Sequence, residues 1–454
     1  MPTRKLATLT QKLVITGMLA GLVMAASCVE AAGTVPGSSA SAHQTLAERT
    51  EKLKVWMARE MPPANIKSVV LLNGLATAEI ESQTDLKPEC KKTNSNGTFC
   101  EVKADLGKDS DGDPASVFCD VTTDPQAFGL LIHGVLGHNG LDETPTLEVK
   151  PMGEGITAWF VANVSMSVDS KINYGTAKFA AIYAHGYVGG CVDLGAGGRQ
   201  TFQRVASHFF ESLKFKDDPK NSALFAYGYK EHVGDRTAGF RYEVIKKRAD
   251  PDVGFVESIA HFVLVTDGKT WEVKDSFRLV ERDDKGGIDK MTNLFWFDGK
   301  GPAELSAKPA EDKKFRLKFE NGRQTNGLDS TPKAPLNTEL WAVPELRRVA
   351  SGAAQSYRYA FLDLLDSDPA FHYVTLTRTA QGVLLEDQEP LTASGKKGKA
   401  GEDGSSKDEL HVDARGLVTK EVSTESVSEL VYTWGELPAL LGGKKAGSSK
   451  KSNP

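Results

Sequence analysis

The stretch Phe262-Val-Leu-Val-Thr-Asp-Gly-Lys-Thr-Trp-Glu-Val-Lys-Asp-Ser-Phe-Arg-Leu279 shows the pattern that decides the fold of the second half of the chain. From Trp271 onward, apolar and polar side chains alternate, which is typical of a half-buried antiparallel strand. Asp267-Gly268 favours the tight turn of a hairpin, because these residues tolerate positive backbone φ angles. The stretch therefore predicts two paired antiparallel strands.

The same alternation recurs in residues 315–319 and 357–361, and one short helix is predicted at 344–351. Residues 222–440 are therefore predicted to form a β-rich domain, a mostly antiparallel half-barrel or meander with one short helix. The lysine-rich tail 441–454 is expected to be disordered.

The first half of the chain mixes strand and helix patterns. Thr45-Leu46-Ala47-Glu48 is a capping box that begins an amphipathic helix. Strand patterns then extend from residue 66 to 193, and residues 202–213 have the apolar spacing of a helix. Residues 43–218 are therefore predicted to form a domain with an antiparallel sheet and flanking helices. The expected fold class of the whole chain is α+β, with the β-rich domain following this first domain.

The N-terminal segment has the layout of an export signal. Basic residues precede the apolar run 13–26, so residues 1–28 are predicted to be a signal peptide or a lipoprotein signal. Cys28 stands where a lipoprotein carries its acylated cysteine, and the alternative is ordinary cleavage after Ala31. Residues 29–42 are expected to form a flexible tether. We expect an exported protein of a bacterium, either periplasmic or anchored to the outer membrane through Cys28.

The four remaining cysteines form an even set that can pair in an oxidising compartment. Cys90 and Cys100 flank the turn of a predicted hairpin, so we expect them to be cross-strand neighbours that form one disulfide. This assignment leaves Cys119 to pair with Cys191. The mild net charge of -5 excludes nucleic acid as the main partner, because a phosphate-binding protein needs a basic face.

Two family resemblances are topological. The strands of 156–193, followed by the helix that ends Phe209-Phe210-Glu211-Ser212-Leu213-Lys214, resemble the last third of PsbP/Mog1-like sandwiches. The β-meander with one helix in residues 222–437 resembles the half-barrels of LolA/LppX-type periplasmic carriers. Since both resemblances cover topology only, they imply no site residues.

The glycine-rich segment Cys191-Val-Asp193-Leu-Gly195-Ala-Gly197-Gly198 lies between a strand and a helix. It resembles the first motif of S-adenosylmethionine-dependent methyltransferases, which implies a cofactor turn over Asp193–Gly198. Arg199 stands where a third glycine is usual, and no apolar strand follows the helix. The alternative is a tight strand-to-helix turn, which we prefer because isolated glycine motifs often give false-positive matches.

An acidic loop offers a weak calcium site. Asp109, Asp111 and Asp113 stand at alternate positions, and Asp120 stands where a twelve-residue calcium loop places its last ligand. Pro114 replaces the glycine of such loops, so the alternative is a solvated acidic loop. No other cofactor is expected.

We expect a non-enzymatic protein, because the mature chain contains no established catalytic motif. A half-barrel with a concave apolar face suits a hydrophobic or lipid-like ligand. The candidate ligand-binding residues are the aromatic residues of the alternating strands, Trp271, Phe277, Phe315, Phe319 and Tyr359. The alternative is a purely structural or interaction protein of the cell envelope, in which the same aromatic residues fill a core.

Overall fold

The computed structural model describes residues 60–441, except for 94–96, 110–111, 113, 124–139, 142–145, 169–170, 194–197, 217–221, 248–253, 267–270, 298–299, 312–313, 322–323, 363–370 and 389–406. The predicted signal 1–28 with Cys28, the tether 29–42, the capping-box helix and nearly all of the tail 441–454 lie outside the described residues. The chain divides into two compact units, Met1–Asp217 with Thr266–Glu272, and Asp218–Val265 with Val273–Pro454. They are called unit 1 and unit 2.

Unit 1 consists of two antiparallel sheets and one described helix. Its described strands are β1 (Ile66–Leu71), β2 (Ala76–Glu81), β3 (Glu89–Lys92), β4 (Thr98–Lys108), β5 (Pro114–Thr122), β6 (Gly140–Leu141), β7 (Thr146–Met152), β8 (Gly155–Val168), β9 (Lys171–Ala184), β10 (Tyr187–Asp193) and β11 (Lys214–Phe215). A three-stranded sheet has the order β1-β2-β11. An eight-stranded sheet has the order β3-β4-β5-β10-β9-β8-β6, with β7 also paired to β8.

Helix α1 (Arg199–Ser212) joins the two sheets of unit 1 into one core. Its apolar residues recur every three or four positions, so Phe202, Val205, Phe209 and Phe210 lie on one buried stripe. Trp159 of β8 contacts this stripe, with ring centroids 6.3 Å from Phe202 and 5.7 Å from Phe210.

Two cross-strand disulfides cross-link neighbouring strands of the eight-stranded sheet. Cys90 lies directly opposite Cys100 in the β3–β4 ladder, and Cys119 lies opposite Cys191 in the β5–β10 ladder. Both pairs form the disulfides that the sequence predicts. Two disulfides indicate an oxidising compartment. Within the described residues, no helix combines the length and the apolar character needed to span a membrane.

Unit 2 is built around one long antiparallel meander. Its described strands are β12 (Ser222–Val233), β13 (Arg236–Lys247), β14 (Phe255–Thr266), β15 (Trp271–Arg282), β16 (Ile288–Phe297), β17 (Lys300–Pro309), β18 (Phe315–Asn321), β19 (Gln324–Ser330), β20 (Ser356–Leu362), β21 (Phe371–Arg378), β22 (Val383–Gln388), β23 (Lys407–Val412), β24 (Val418–Val422) and β25 (Val427–Gly435). They form a 14-stranded sheet in the order β19 down to β12, then β25 down to β20. The pairing of β12 with β25 joins the two runs.

The sheet of unit 2 curls until it overlaps itself. Leu317 and Phe319 of β18 pack in one cluster with Ala360 of β20 and Phe371 of β21. The neighbouring residue Tyr359 lies on the opposite face of β20, where it packs with the helix described next. One face of β20 and β21 therefore covers β16–β18, and the other face encloses an interior.

Helix α2 (Val343–Ser351) lies in this interior. Pro344 stands in its first turn, and Gly352 ends it in the left-handed conformation. Its apolar residues contact two walls, because Val343 packs with Tyr227 and Tyr229 while Leu346 and Val349 pack with Tyr359, Val374 and Leu376. The helix and the preceding segment thereby position the polar residues of the interior.

The expected α+β fold class is wrong, because the described residues are mostly antiparallel β. Only α1 and α2 are α-helices among them, and unit 1 has a single described helix rather than a sheet with flanking helices. The physical reason is that helical apolar spacing occurs in only these two described segments. Residues 155–193 form the long strands β8–β10 instead, and most of their described side chains are buried in continuous runs, as in strands covered on both faces.

Candidate functional site

One face of β12–β15 in unit 2 carries an unusual set of charged side chains. In the strand ladders, Arg241 lies opposite both Tyr229 and His261, and Glu243 lies opposite Tyr227. Directly opposed residues of an antiparallel ladder share a face. We call this surface the charged face. The cluster of Tyr227 and Tyr229 with Val343 of α2 shows that it faces the interior of unit 2.

A buried ion pair anchors one end of the charged face. Arg282 Nη2 lies 3.2 Å from Glu257 Oε2, and the two side chains are 2% and 0% exposed. The hydroxyl of Thr338 donates to the same carboxylate oxygen at 3.0 Å and accepts from Arg282 at 2.9 Å. The guanidinium also stacks on Trp341, 4.4 Å from the ring centroid. This arrangement fixes the segment before α2 against the sheet.

A second cluster is centred on Arg241. Its guanidinium lies 3.7 Å from Glu243 Oε1 and 3.5 Å from Glu421 Oε2, and it stacks on Tyr229 at 4.6 Å. Tyr227 donates a short hydrogen bond from its hydroxyl to Glu243 Oε2. A single guanidinium therefore lies within 4 Å of two carboxylates.

Several buried carboxyl groups of the interior have shifted pKa values. Burial and, after it, the nearby charge of Glu339 raise the pKa of Glu243 to about 8, against the opposing effect of Arg241. Burial also raises the pKa of Glu421 and of Glu257. Although burial acts in the same direction on Glu339, Arg241 and Arg278 together lower its pKa. The interior therefore holds both neutral and charged carboxyl groups at neutral pH.

The shift at Glu243 predicts a pH-dependent stability of unit 2. Its pKa rises from 4.5 to about 8 on folding, so between these values the folded state binds more protons than the unfolded state. The free energy of unfolding should therefore fall as pH rises through this window, and Glu243→Gln should reduce the fall. Urea denaturation from about pH 5 to about pH 9 measures both slopes, with half-exposed Glu409→Gln as the control. Equal slopes in the wild type and Glu243→Gln would contradict the assignment.

A cavity of about 150 Å³ lies between the charged face and the far part of the same sheet. It is lined by Arg278, Thr338, Glu339, Tyr359, Phe361, Val374, Leu385, Asp408 and Glu421. Phe361, Val374 and Leu385 from β20–β22 form its apolar wall. Glu339, Glu421 and Arg278 form its charged wall, and Asp408, which lies opposite Leu385 in the β22–β23 ladder, lies where the two walls meet. The cavity therefore offers an apolar and a charged surface to a small molecule.

Of the five predicted ligand-binding residues, Tyr359 lines this cavity. Phe319 is buried and Phe315 packs beside it, both in the cluster where the sheet overlaps itself. Phe277 lies on the face of β15 opposite to Arg278, because neighbours in a strand point to opposite sides. Trp271 begins β15, and its side chain lies outside the described residues.

Sequence reasoning missed the charged residues that line the cavity. In β15 the charged face carries Arg278 and Arg282, whereas the apolar alternation of Phe277 and Leu279 marks the other face. A usable signal is the recurrence of charged residues on one face of successive strands, as in Arg241/Glu243 of β13, Glu257 of β14 and Arg278/Arg282 of β15. Such charges on consecutive hairpin strands predict a paired polar face.

Of the four predicted calcium ligands, the structure describes Asp109 and Asp120 and places these two apart. Asp109 lies in the connection between β4 and β5, whereas Asp111 and Asp113 lie outside the described residues. Asp120 is buried within β5, opposite Glu101 and Gly190, and it is roughly 20 Å along an extended strand from Pro114. Burial raises the pKa of Asp120, and the charge of Glu101 adds to this effect. Within the described ranges, no cluster of three His, Cys, Asp or Glu residues suits a metal ion.

Other residues of unit 1 contact the chain on both sides of the glycine-rich turn. Asp193 pairs with the buried Lys178 at 3.1 Å. The carboxylate of Glu60 accepts hydrogen bonds from the backbone amides of Gln200 and Thr201 at 3.0 and 2.5 Å. These are the first-turn amides of α1 that a cofactor would use. Residues 194–197 between them lie outside the described residues.

Comparisons with known proteins give similarity to solved structures alone. No protein-family model and no curated protein sequence matches the chain. A solved structure described as a β-barrel-like protein of the domain of unknown function DUF1849, from Brucella abortus, is similar to 46% of this chain and 97% of its own. The sequence identity is 14% and the TM-score is 0.34, values too low to carry an inference about function. This neighbour is β-rich, as the described residues of this chain are; the similarity supports neither the PsbP/Mog1-like nor the LolA/LppX-type resemblance.

Proposed function

We propose that this protein is an exported, non-enzymatic binding protein whose unit 2 holds a small amphipathic ligand in its interior cavity. The observation that carries the proposal is the division of the cavity into an apolar wall and a charged wall. Ligand sites typically combine mostly apolar linings with a few placed polar groups. The two disulfides support export, since they persist in oxidising compartments. If Cys28 is acylated, the binding module is held at a membrane surface.

The size of the cavity limits the ligand. A volume of about 150 Å³ corresponds to about five water molecules. Sites for larger organic ligands occupy about 300–1,000 Å³. We therefore propose a ligand, or the end of a ligand, with a short hydrocarbon part. A complete membrane lipid exceeds this volume.

The second candidate function is structural, and the pairing within the charged face favours it. Arg282, Glu257 and Thr338 hydrogen-bond to one another, as in a network that only fixes the fold. A structural protein and a binding protein respond differently when the cavity alone is filled.

Filling the cavity is expected to abolish ligand binding without unfolding unit 2. Leu385→Trp adds bulk to the apolar wall, whereas Leu384→Trp adds the same bulk on the other face of β22. We expect hexylamine, hexanol or hexanoate to bind the wild type and Leu384→Trp in isothermal titration calorimetry. Leu385→Trp should lose at least about tenfold in affinity, because the filled site excludes the alkyl chain. Absence of binding by all three probes would favour the structural function.

A further inference from the structure

The charged wall of the cavity carries more acidic than basic groups. Glu339 and Glu421 line it and Asp408 adjoins it, against one guanidinium, that of Arg278. Arg278 is itself engaged, because its Nε donates to the buried Asn293 Oδ1 at 3.2 Å. The polar lining is therefore acidic overall, which disfavours the binding of an anionic ligand.

Arg278 and the neighbouring Arg241 both lower the pKa of Glu339, but these two guanidinium groups face four carboxyl groups, those of Glu243, Glu339, Asp408 and Glu421. Arg241 lies behind the wall, 3.5 Å from Glu421, and it is shared with Glu243 at 3.7 Å. The charge of Glu339 also acts on Arg241, and the pKa of Glu421 stays above its usual value through burial despite Arg241. Buried negative charge is costly unless a proton or a cation compensates it. A bound cation would supply this compensation within the cavity.

The opposite wall favours a cation that carries a hydrocarbon chain. Phe361, Val374 and Leu385 present apolar surface, and Tyr359 lines the cavity beside them. A hydrated metal ion would leave this surface without a partner. An alkyl chain gains from burial there, by about 0.8 kcal/mol per methylene.

From this juxtaposition we propose that the cavity binds an alkylammonium group, with the amine against Glu339 and Glu421 and the hydrocarbon part against Val374 and Leu385. The inference rests on the proposed function and specifies its ligand class. Ammonium groups donate three hydrogen bonds, so one amine can contact several carboxylates at once. The chemistry is shared by free alkyl amines and by the lysine side chain of a peptide.

Calorimetry on the full-length protein with three probes of equal chain length tests this inference. We expect hexylamine to bind at least about tenfold more tightly than hexanoate, with hexanol between them, because the acidic wall attracts the amine and repels the carboxylate. Glu339→Gln should weaken hexylamine about tenfold and leave hexanol unchanged. Glu409→Gln is the matched control, since Glu409 lies on the other face of β23 from Asp408.

The outcomes separate this inference from the proposed function. If hexanol or hexanoate binds in the cavity as tightly as hexylamine, the alkylammonium inference fails and the proposed function stands. If none of the three probes binds, both fail. The comparison of probes on the wild type suffices if Glu339→Gln does not fold. A further titration with 1,5-diaminopentane and with N-acetyl-lysine methylamide identifies where the bound ammonium group comes from. Tighter binding of 1,5-diaminopentane indicates a free amine. Tighter binding of N-acetyl-lysine methylamide indicates the lysine side chain of a peptide.

Discussion

Replacing Arg282 with methionine is expected to lower the free energy of unfolding of unit 2 by about 3–5 kcal/mol, the largest effect of any single substitution considered for this protein. The change removes the guanidinium 3.2 Å from Glu257 and leaves that carboxylate buried at 0% exposure. An uncompensated buried charge is strongly destabilising, whereas an apolar replacement of the whole pair is often tolerated.

A matched set of variants isolates this effect. Arg282→Met with Glu257→Leu should recover most of the loss, because both charges leave together. Lys407→Met removes an exposed ion pair with Glu386, whose side chains are 59% and 30% exposed, and should cost less than about 1 kcal/mol. Urea denaturation read by hydrogen exchange and mass spectrometry reports each unit separately. A loss below about 1 kcal/mol in Arg282→Met would contradict the account.

Removing the disulfide Cys119–Cys191 is expected to destabilise unit 1 by about 4 kcal/mol, against about 3 kcal/mol for Cys90–Cys100. The difference follows from loop closure in the unfolded chain, because the sequence separations are 72 and 10 residues. Both cysteines of the longer loop are also fully buried in the sheet. The paired alanine variants, Cys119→Ala with Cys191→Ala and Cys90→Ala with Cys100→Ala, allow a direct comparison.

The same urea and hydrogen-exchange measurement checks this order. Peptides of unit 2 serve as the internal control, since both disulfides lie in unit 1 and their removal should leave the stability of unit 2 unchanged. An equal loss for the two pairs, or a larger loss for Cys90–Cys100, would show that loop closure does not govern the contribution of these disulfides.

The hairpin disulfide and several strands and helices were predictable from the sequence, because residues close together in the chain determine them. Cys90 and Cys100 flank one hairpin, so their pairing follows from strand geometry, and the pairing of Cys119 with Cys191 follows by elimination. The strand alternation after Trp271 predicts β15, and the apolar spacing of 202–213 predicts α1. These features depend on periods of two and of about 3.6 residues, which a single sequence displays.

The charged interior was not predictable, because alternation gives the period of a strand and not which face is enclosed. In β15 both Phe277 and Arg278 are buried, with 4% and 8% exposure. Both faces can be buried because the sheet overlaps itself, and this long-range arrangement depends on residues far apart in sequence, such as Phe319 and Phe371. The assumption that the apolar face lines the site therefore selected aromatic residues and omitted Glu339 and Glu421.

Methyl NMR spectroscopy of the full-length protein tests whether the interior cavity of unit 2 is a ligand site. Selective labelling of valine and leucine methyl groups places probes at Val374 and Leu385 on the apolar wall and at Leu384 on the other face of β22. During titration with hexylamine, hexanol or hexanoate, we expect saturable shifts of the Val374 and Leu385 resonances and little change at Leu384. Unchanged Val374 and Leu385 resonances with all three probes would contradict this expectation.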